Sequence, residues 1–407
     1  MNIENNNFIK IGVGMKFTIT IEKIQDILNQ FFPIIPSKST IMVLQHLHFS
    51  LLGNTLKVLA TNEEISIISS FEVEGAEDGE VLMPAKKLND IIKVLPKGGN
   101  ITVEVDPETY EIIVRFSKGK FVLKGLSTDE YVSVPYLFES DSPGIDEISG
   151  PIENEENKAV LPAGLFAKIA FRTLFAVSDE EYKPAMTGVL LQFRENLLIA
   201  VSTDGYRMNR YNVKSEESIF PKMMDVVLPA HTVEYLHRVN EEMTMTMIEP
   251  NDESKFLRFD FGSTILTTRI IREKFPPYET IIPPSFDFQS TIPLSELVDT
   301  IRRISLSSNR ISKSIILHFS ENSLLVSAEN EETGESAEET IQCEFLGGEL
   351  VVGVRHDYFM QSLQHLNEEI ASDEIIELFF NGPQKAYIIS QKDKMDEFMM
   401  LNMPVRI

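Results

Sequence analysis

One pattern occurs three times along this chain: an apolar run closes on a small residue and then on a turn former or an acid. It stands as Leu56-Lys57-Val58-Leu59-Ala60-Thr61-Asn62, as Leu197 to Met208 with Asp204-Gly205 inside it, and as Leu324-Leu325-Val326-Ser327-Ala328-Glu329-Asn330. Asp204-Gly205 suits a tight turn, because glycine tolerates positive φ and aspartate can bond its own backbone. The residues behind it, 206–213, alternate loosely and predict a return strand. Each copy alone is one more hairpin. Three copies, each among helices of similar spacing, restrict the fold.

The first copy sits in a unit that reads strand 16–21, helix to Phe32, strands 43–51, 55–61 and 65–73, a second helix opened by Met83-Pro84-Ala85, and strands 101–105, 111–116 and 120–126. Ile24, Ile27, Leu28 and Phe31 share one face of the first helix; Leu88, Ile91, Ile92 and Leu95 share one face of the second. The unit then recurs. Helix 163–177, with Phe166, Ile169, Ala170, Leu174 and Val177 inward, precedes strands 188–193, 197–203 and 207–213. Leu228-Pro229-Ala230 opens a helix from His231 to about Glu242, and strands 244–248, 256–261 and 263–270 follow. In the last pass, helix 294–306 buries Leu297, Val298, Ile301 and Ile304. Strands 314–319, 323–328 and 338–345 come next, then a helix opened by Val352-Gly353-Val354 and strands 375–380, 386–390 and 398–401. The spacing of Pro84, Pro229 and Val354 far exceeds that of a solenoid. The expected organisation is α+β: three tandem two-helix, two-sheet domains at 15–138, 158–283 and 284–407. Residues 1–14 read as a disordered extension and the acidic stretch 139–157 as a linker.

Composition removes several function classes. With 407 residues the chain exceeds one ordinary core. A single cysteine, Cys343, excludes an internal disulfide framework and suits a reducing cytoplasm. No apolar run approaches the roughly 20 residues of a membrane span. His46 and His48 share a strand face without a third ligand nearby, and His231 and His237 miss chelating helical spacings. Gly12-Val13-Gly14 is no phosphate loop, and Asp204 is a turn residue before it is an acid catalyst. No catalytic residue, cofactor or metal is expected. The net charge of −25 argues against nucleic acid when taken alone. Its distribution argues otherwise, because Lys86, Lys87, Lys93, Lys168, Arg172, His231, His237, Arg238, Arg302, Arg303 and Arg355 all fall on expected helices while the acids gather in loops.

Met15-Lys16-Phe17-Thr18, Pro84-Ala85-Lys86-Lys87-Leu88, Thr203-Asp204-Gly205-Tyr206-Arg207, Phe275-Pro276-Pro277-Tyr278 and Met403-Pro404-Val405-Arg406-Ile407, in that order, carry a resemblance. From Met15 to Ile407 the chain resembles the bacterial DNA polymerase III beta subunit, the beta sliding clamp. The resemblance implies a ring-shaped homodimer of three-domain chains joined head to tail. Helices would line the hole and hold duplex DNA without base readout; the ring would act as a processivity factor and not as an enzyme. Lys38, Lys86, Lys87, Lys93, Lys168, Arg172, Arg238, Arg302 and Arg303 would face the DNA. The family's partner-peptide pocket carries over onto Met186, Thr203, Gly205, Tyr206, Arg207, Met208, Pro276, Ile281, Leu401, Met403 and Pro404. The implied partners are the polymerase III alpha subunit, the clamp loader delta subunit and other clamp-binding-motif proteins, in the cytoplasm and away from membranes. Ring closure would rest on Phe121, Leu123 and Leu306. Met186 and Met208 stand where the family favours leucine, Tyr206 where histidine is common and Thr280 where arginine often sits. They predict a pocket with altered peptide preference, since methionine adapts its shape. Two other readings compete: an enzyme on a repeated α+β scaffold, and an acidic peptide-binding adaptor that does not encircle DNA.

Overall fold

The computed structural model describes residues 14–132, 134, 158–215, 223–251, 254–366 and 374–407. Residues 1–13 of the expected extension and the whole 139–157 linker lie outside the described residues. The first pass contains β1 Lys16–Thr20, α1 Ile21–Phe31, β2 His46–Leu52, β3 Thr55–Thr61, β4 Ile65–Glu72, β5 Glu74–Glu77, β6 Gly79–Pro84, α2 Ala85–Val94, β7 Asn100–Val105, β8 Glu111–Phe116 and β9 Gly119–Lys124. The second contains β10 Lys158–Leu161, α3 Leu165–Thr173, β11 Gly188–Arg194, β12 Leu197–Thr203, β13 Arg207–Lys214, β14 Met224–Pro229, α4 Ala230–Leu236, β15 Met243–Asn251, β16 Ser254–Phe261 and β17 Thr264–Arg269. The third contains β18 Phe288–Pro293, α5 Leu294–Ile304, β19 Ser314–Ser320, β20 Ser323–Asn330, β21 Glu335–Gln342, β22 Glu344–Leu346, β23 Leu350–Arg355, α6 His356–Gln364, β24 Ile375–Phe380, β25 Tyr387–Gln391 and β26 Phe398–Asn402.

These elements group into two compact units. One holds the described residues up to Lys158 together with Met243–Arg269; the other holds Ala159–Glu242 with Ile270–Ile407. The first unit contains the sheet β5-β1-β7-β8-β9 and the run β15-β16-β17-β4-β3-β2-β6, with α1 packed on α2. The second contains the sheets β14-β11-β12-β13-β26-β25-β24-β18-β22 and β21-β20-β19-β23, with α3 packed on α4 and α5 on α6. Helix faces follow the apolar spacing: Ile24, Ile27, Leu28 and Phe31 of α1 are buried, as are Leu297, Val298, Ile301 and Ile304 of α5. Among the described residues no helix is long and apolar enough to cross a membrane.

The structure corrects the expected elements in one recurring place. The tripeptides read as helix openers do lead into helices, but each also ends a strand that was not expected: β6, β14 and β23 run into α2, α4 and α6, with Pro84, Pro229 and Arg355 at the N-caps. Val81-Leu82-Met83 and Val226-Val227-Leu228 are buried consecutively, so alternation is lost and periodicity cannot tell such a strand from a helix. Helix α3 is shorter than expected. It tightens into a 3₁₀ turn at Leu174–Ala176, which turns Thr173 and Ala176 inward in place of Leu174 and Val177. Leu123, expected at the ring closure, is 7% exposed within the chain, while Phe121 and Val122 of the same edge strand are open.

Candidate partner-binding site

Strands β12 and β13 pair from Leu197↔Lys214 to Thr203↔Met208, and four residues close the hairpin. Gly205 takes φ +91°, where a side chain would be strained. Asp204 Oδ1 accepts the backbone N–H groups of Tyr206 (2.8 Å) and Arg207 (2.9 Å). The Thr203 hydroxyl donates to Arg207 O (2.7 Å) and accepts from Gly205 N (3.1 Å). Arg207, expected to line a pocket, is 8% exposed and holds the turn from beneath. Its Nε donates to Asp204 Oδ2 at 2.9 Å and Nη1 donates to Gln361 of α6. Its guanidinium lies 4.3 Å from the Tyr358 ring centroid and 5.4 Å from that of Phe175.

The last strand completes the site. β26 pairs with β13 through Arg207↔Asn402 and Met208↔Leu401, and Met403 N donates to Tyr206 O at 2.8 Å. Met208 and Leu401 are buried in one apolar cluster with Leu190, Val201, Phe275 and Tyr278, so they form a floor and not a wall. The open surface belongs to Met403, Ile281 and Tyr206, with Met186, Pro276 and Pro404 half-buried. Phe275 and Tyr278 anchor the 276–281 segment in the cluster, and Tyr278 donates to Gln192 Oε1 at 2.6 Å. Sequence reasoning missed Tyr358, Phe175, Gln361, Phe286 and Phe379. Phe286 and Phe379 lie 5.0 Å apart against the cluster, and Tyr358 lies 6.5 Å from Tyr206. No local sequence signal marks them; the sheet gathers them from separate elements.

Among the expected DNA-facing cations, Lys38, Lys86, Lys87, Lys93, Lys168 and Arg238 are exposed, although α4 ends at Leu236 and leaves Arg238 just beyond it. Arg172, also expected to face DNA, packs against aromatic rings. Its guanidinium sits 4.7 Å from the Phe398 centroid and 4.9 Å from Tyr211, and donates to Leu366 O. Arg302 pairs with Asp299 at 3.2 Å, and Arg303 Nε donates to Glu339 at 2.9 Å. His46 and His48, weighed as metal ligands, lean on Met42 O and on Glu80.

Comparison with known proteins places this geometry. The sequence matches the DNA polymerase III beta subunit family in three consecutive pieces. These are its N-terminal domain over residues 15–135, its central domain over 160–277 and its C-terminal domain over 279–406. The beta sliding clamp of Pseudomonas putida KT2440 is 24% identical, covering 97% of this chain and 100% of the relative. That of Escherichia coli K12 is 25% identical over 87% of this chain and 91% of its own length. Among solved structures, the Pseudomonas aeruginosa sliding clamp bound to griselimycin superposes with a TM-score of 0.83 at 23% identity, covering 97% of this chain and 100% of that one. The Bacillus subtilis clamp gives 0.83 at 22%, covering 97% and 99%. With all three of its domains matched in order, the chain belongs to the DNA polymerase III beta subunit family, the sliding clamps.

Proposed function

We propose that two copies of this chain close head to tail into a ring around duplex DNA, and that the ring tethers the replicative polymerase through the hairpin site. The observation that carries the tether is β26 laid against β13. It ties Met403 to Tyr206 over a floor of Met208 and Leu401, leaving an apolar surface of Met403, Ile281 and Pro276 for an extended peptide with leucine and phenylalanine anchors. The polymerase alpha subunit, the clamp loader delta subunit and other proteins with such a segment are the partners this chemistry fits, in the cytoplasm. The ring acts by topology and without catalysis. The exposed lysines supply a local positive surface on an acidic body, and closure keeps the DNA in where affinity alone would not.

Two free sheet edges support closure. β9 ends one sheet with Phe121 and Val122 open; β21 ends another, and Leu306 stands exposed on the 3₁₀ turn Ser305–Ser307 that packs near it. Unlike edges joined by a rotation that closes form a ring. A labelled Gln-Leu-Ser-Leu-Phe peptide titrated with the whole chain tests the tether. Saturable binding at one site per chain is expected, and its absence would remove the proposed pocket.

A further inference from the structure

The hairpin turn of the tether site has a counterpart in the first repeat. Thr61 Oγ1 donates to Ile65 O (3.0 Å) and accepts from Glu63 N (3.1 Å), as Thr203 does with Arg207 and Gly205. Asn62 Oδ1 accepts from the N–H groups of Glu64 (3.1 Å) and Ile65 (2.8 Å), as Asp204 does from Tyr206 and Arg207. β4 pairs with β17 through Ile65↔Thr268 and Ser66↔Thr267, matching Arg207↔Asn402 and Met208↔Leu401. Arg269 N donates to Glu64 O at 3.0 Å, where Met403 N donates to Tyr206 O. The third repeat stops short of this, because β21, which follows its turn, is a sheet edge.

The backbones agree and the side chains do not. Ser66 stands at the position of Met208, Thr267 at that of Leu401, Arg269 at that of Met403, Glu64 at that of Tyr206 and Glu63 at that of Gly205. With Thr61, Val132 and Phe256 they line a cavity of about 70 Å³. That is room for the end of one side chain. Proton counting sets the polarity. The Thr61 hydroxyl proton goes to Ile65 O, so the 2.6 Å contact between Thr61 and Ser66 takes the Ser66 proton, and Ser66 Oγ is left as an acceptor. Glu63 is held at φ +75°, where the other hairpin uses glycine, and strain of this kind gathers at functional positions. Arg269 lies over the Phe256 ring at 5.7 Å, and the Glu63 carboxylate belongs to the lining.

We propose that this cavity is a second peptide site, which takes the lysine side chain of an extended segment. The ammonium donates to Ser66 Oγ and to the Glu63 carboxylate. The proposal rests on the reading that the first hairpin site binds peptides. The test titrates the full chain with a labelled Ser-Ser-Lys-Ser-Ser peptide and, separately, with Gln-Leu-Ser-Leu-Phe. Saturable binding of the lysine peptide is expected, weakened at least about fivefold by Glu63→Gln and further by adding Ser66→Ala. Met403→Glu should leave it unchanged. So should Glu331→Gln with Glu332→Gln in the third turn. An unchanged circular dichroism spectrum and urea midpoint for the Ser66 variant report an intact fold of the unit that carries the cavity. Absence of saturable lysine-peptide binding, or equal weakening by the third-turn pair, overturns the second site alone. Failure of Gln-Leu-Ser-Leu-Phe to bind the unaltered chain overturns the reading of the first.

Discussion

Arg207 shows how a residue of the proposed binding motif can lie almost wholly beneath the surface. Its ion pair with Asp204 has side chains 8% and 12% exposed, so removing one partner strands a nearly buried charge. Arg207→Ala should therefore cost about 3 kcal/mol of unfolding free energy. A urea titration of Arg207→Ala, Asp204→Ala and the double variant checks this, with the double variant losing less than the sum. His365 lies nearby, its ring 4.1 Å from Phe175 and 5.0 Å from Phe171. Burial pushes its pKa below the ordinary value and the Arg207 charge adds to this, against the hydrogen bond to Gln361 O. The folded state thus prefers the neutral ring, while the unfolded chain takes up a proton near pH 6.5. That stability is present above about pH 6.5 and is lost as pH falls below it. His365→Leu should lessen the fall of the urea midpoint over this window, to which His46 and His356, also lowered by burial, contribute; an unchanged slope would exclude His365 as a source. Thr203, Gly205 and Met403 were legible because they lie in one contiguous turn or tail. Tyr358 and Phe175 were not, since nothing local shows that α6 and the end of α3 meet beneath that turn.

At the scale of the element, the hairpins were the most legible part. Strands such as β3 and β12 alternate or end at turn residues whose φ and side-chain bonding are specified locally. The strands before α2, α4 and α6 went unread because their buried triplets carry no period. Strand β26 is the element on which the proposed tether depends. Its Leu401 is 2% exposed, so truncation there would open the core as well as the site. Met403 is 46% exposed and separates the two effects. Met403→Glu sets a carboxylate at the apolar surface with little effect on folding. Losing one apolar anchor, worth about 2 kcal/mol, should weaken Gln-Leu-Ser-Leu-Phe binding roughly thirtyfold in a fluorescence titration. Full affinity would move the peptide elsewhere.

For the whole molecule, the threefold recurrence was visible in sequence because each repeat restates the same helix faces and turn. How chains join was not, because an edge strand reads like any other until its neighbours are known. Leu306 tests the join. It is 83% exposed, so Leu306→Lys should leave folding within about 0.5 kcal/mol. In a dimer it would bury a charge against apolar surface. Sedimentation should then show more monomer at low concentration, and an unchanged dimer would take Leu306 out of the interface. The central claim is topological, and retention on circular DNA measures it most directly. The labelled chain is loaded by a bacterial clamp loader onto nicked circular duplex, passed through a sizing column in high salt, and the circle is then cut. The ring should stay on the intact circle, where phosphate contacts alone would be screened away, and leave once a free end exists. Equal loss from circular and linear DNA would contradict encirclement.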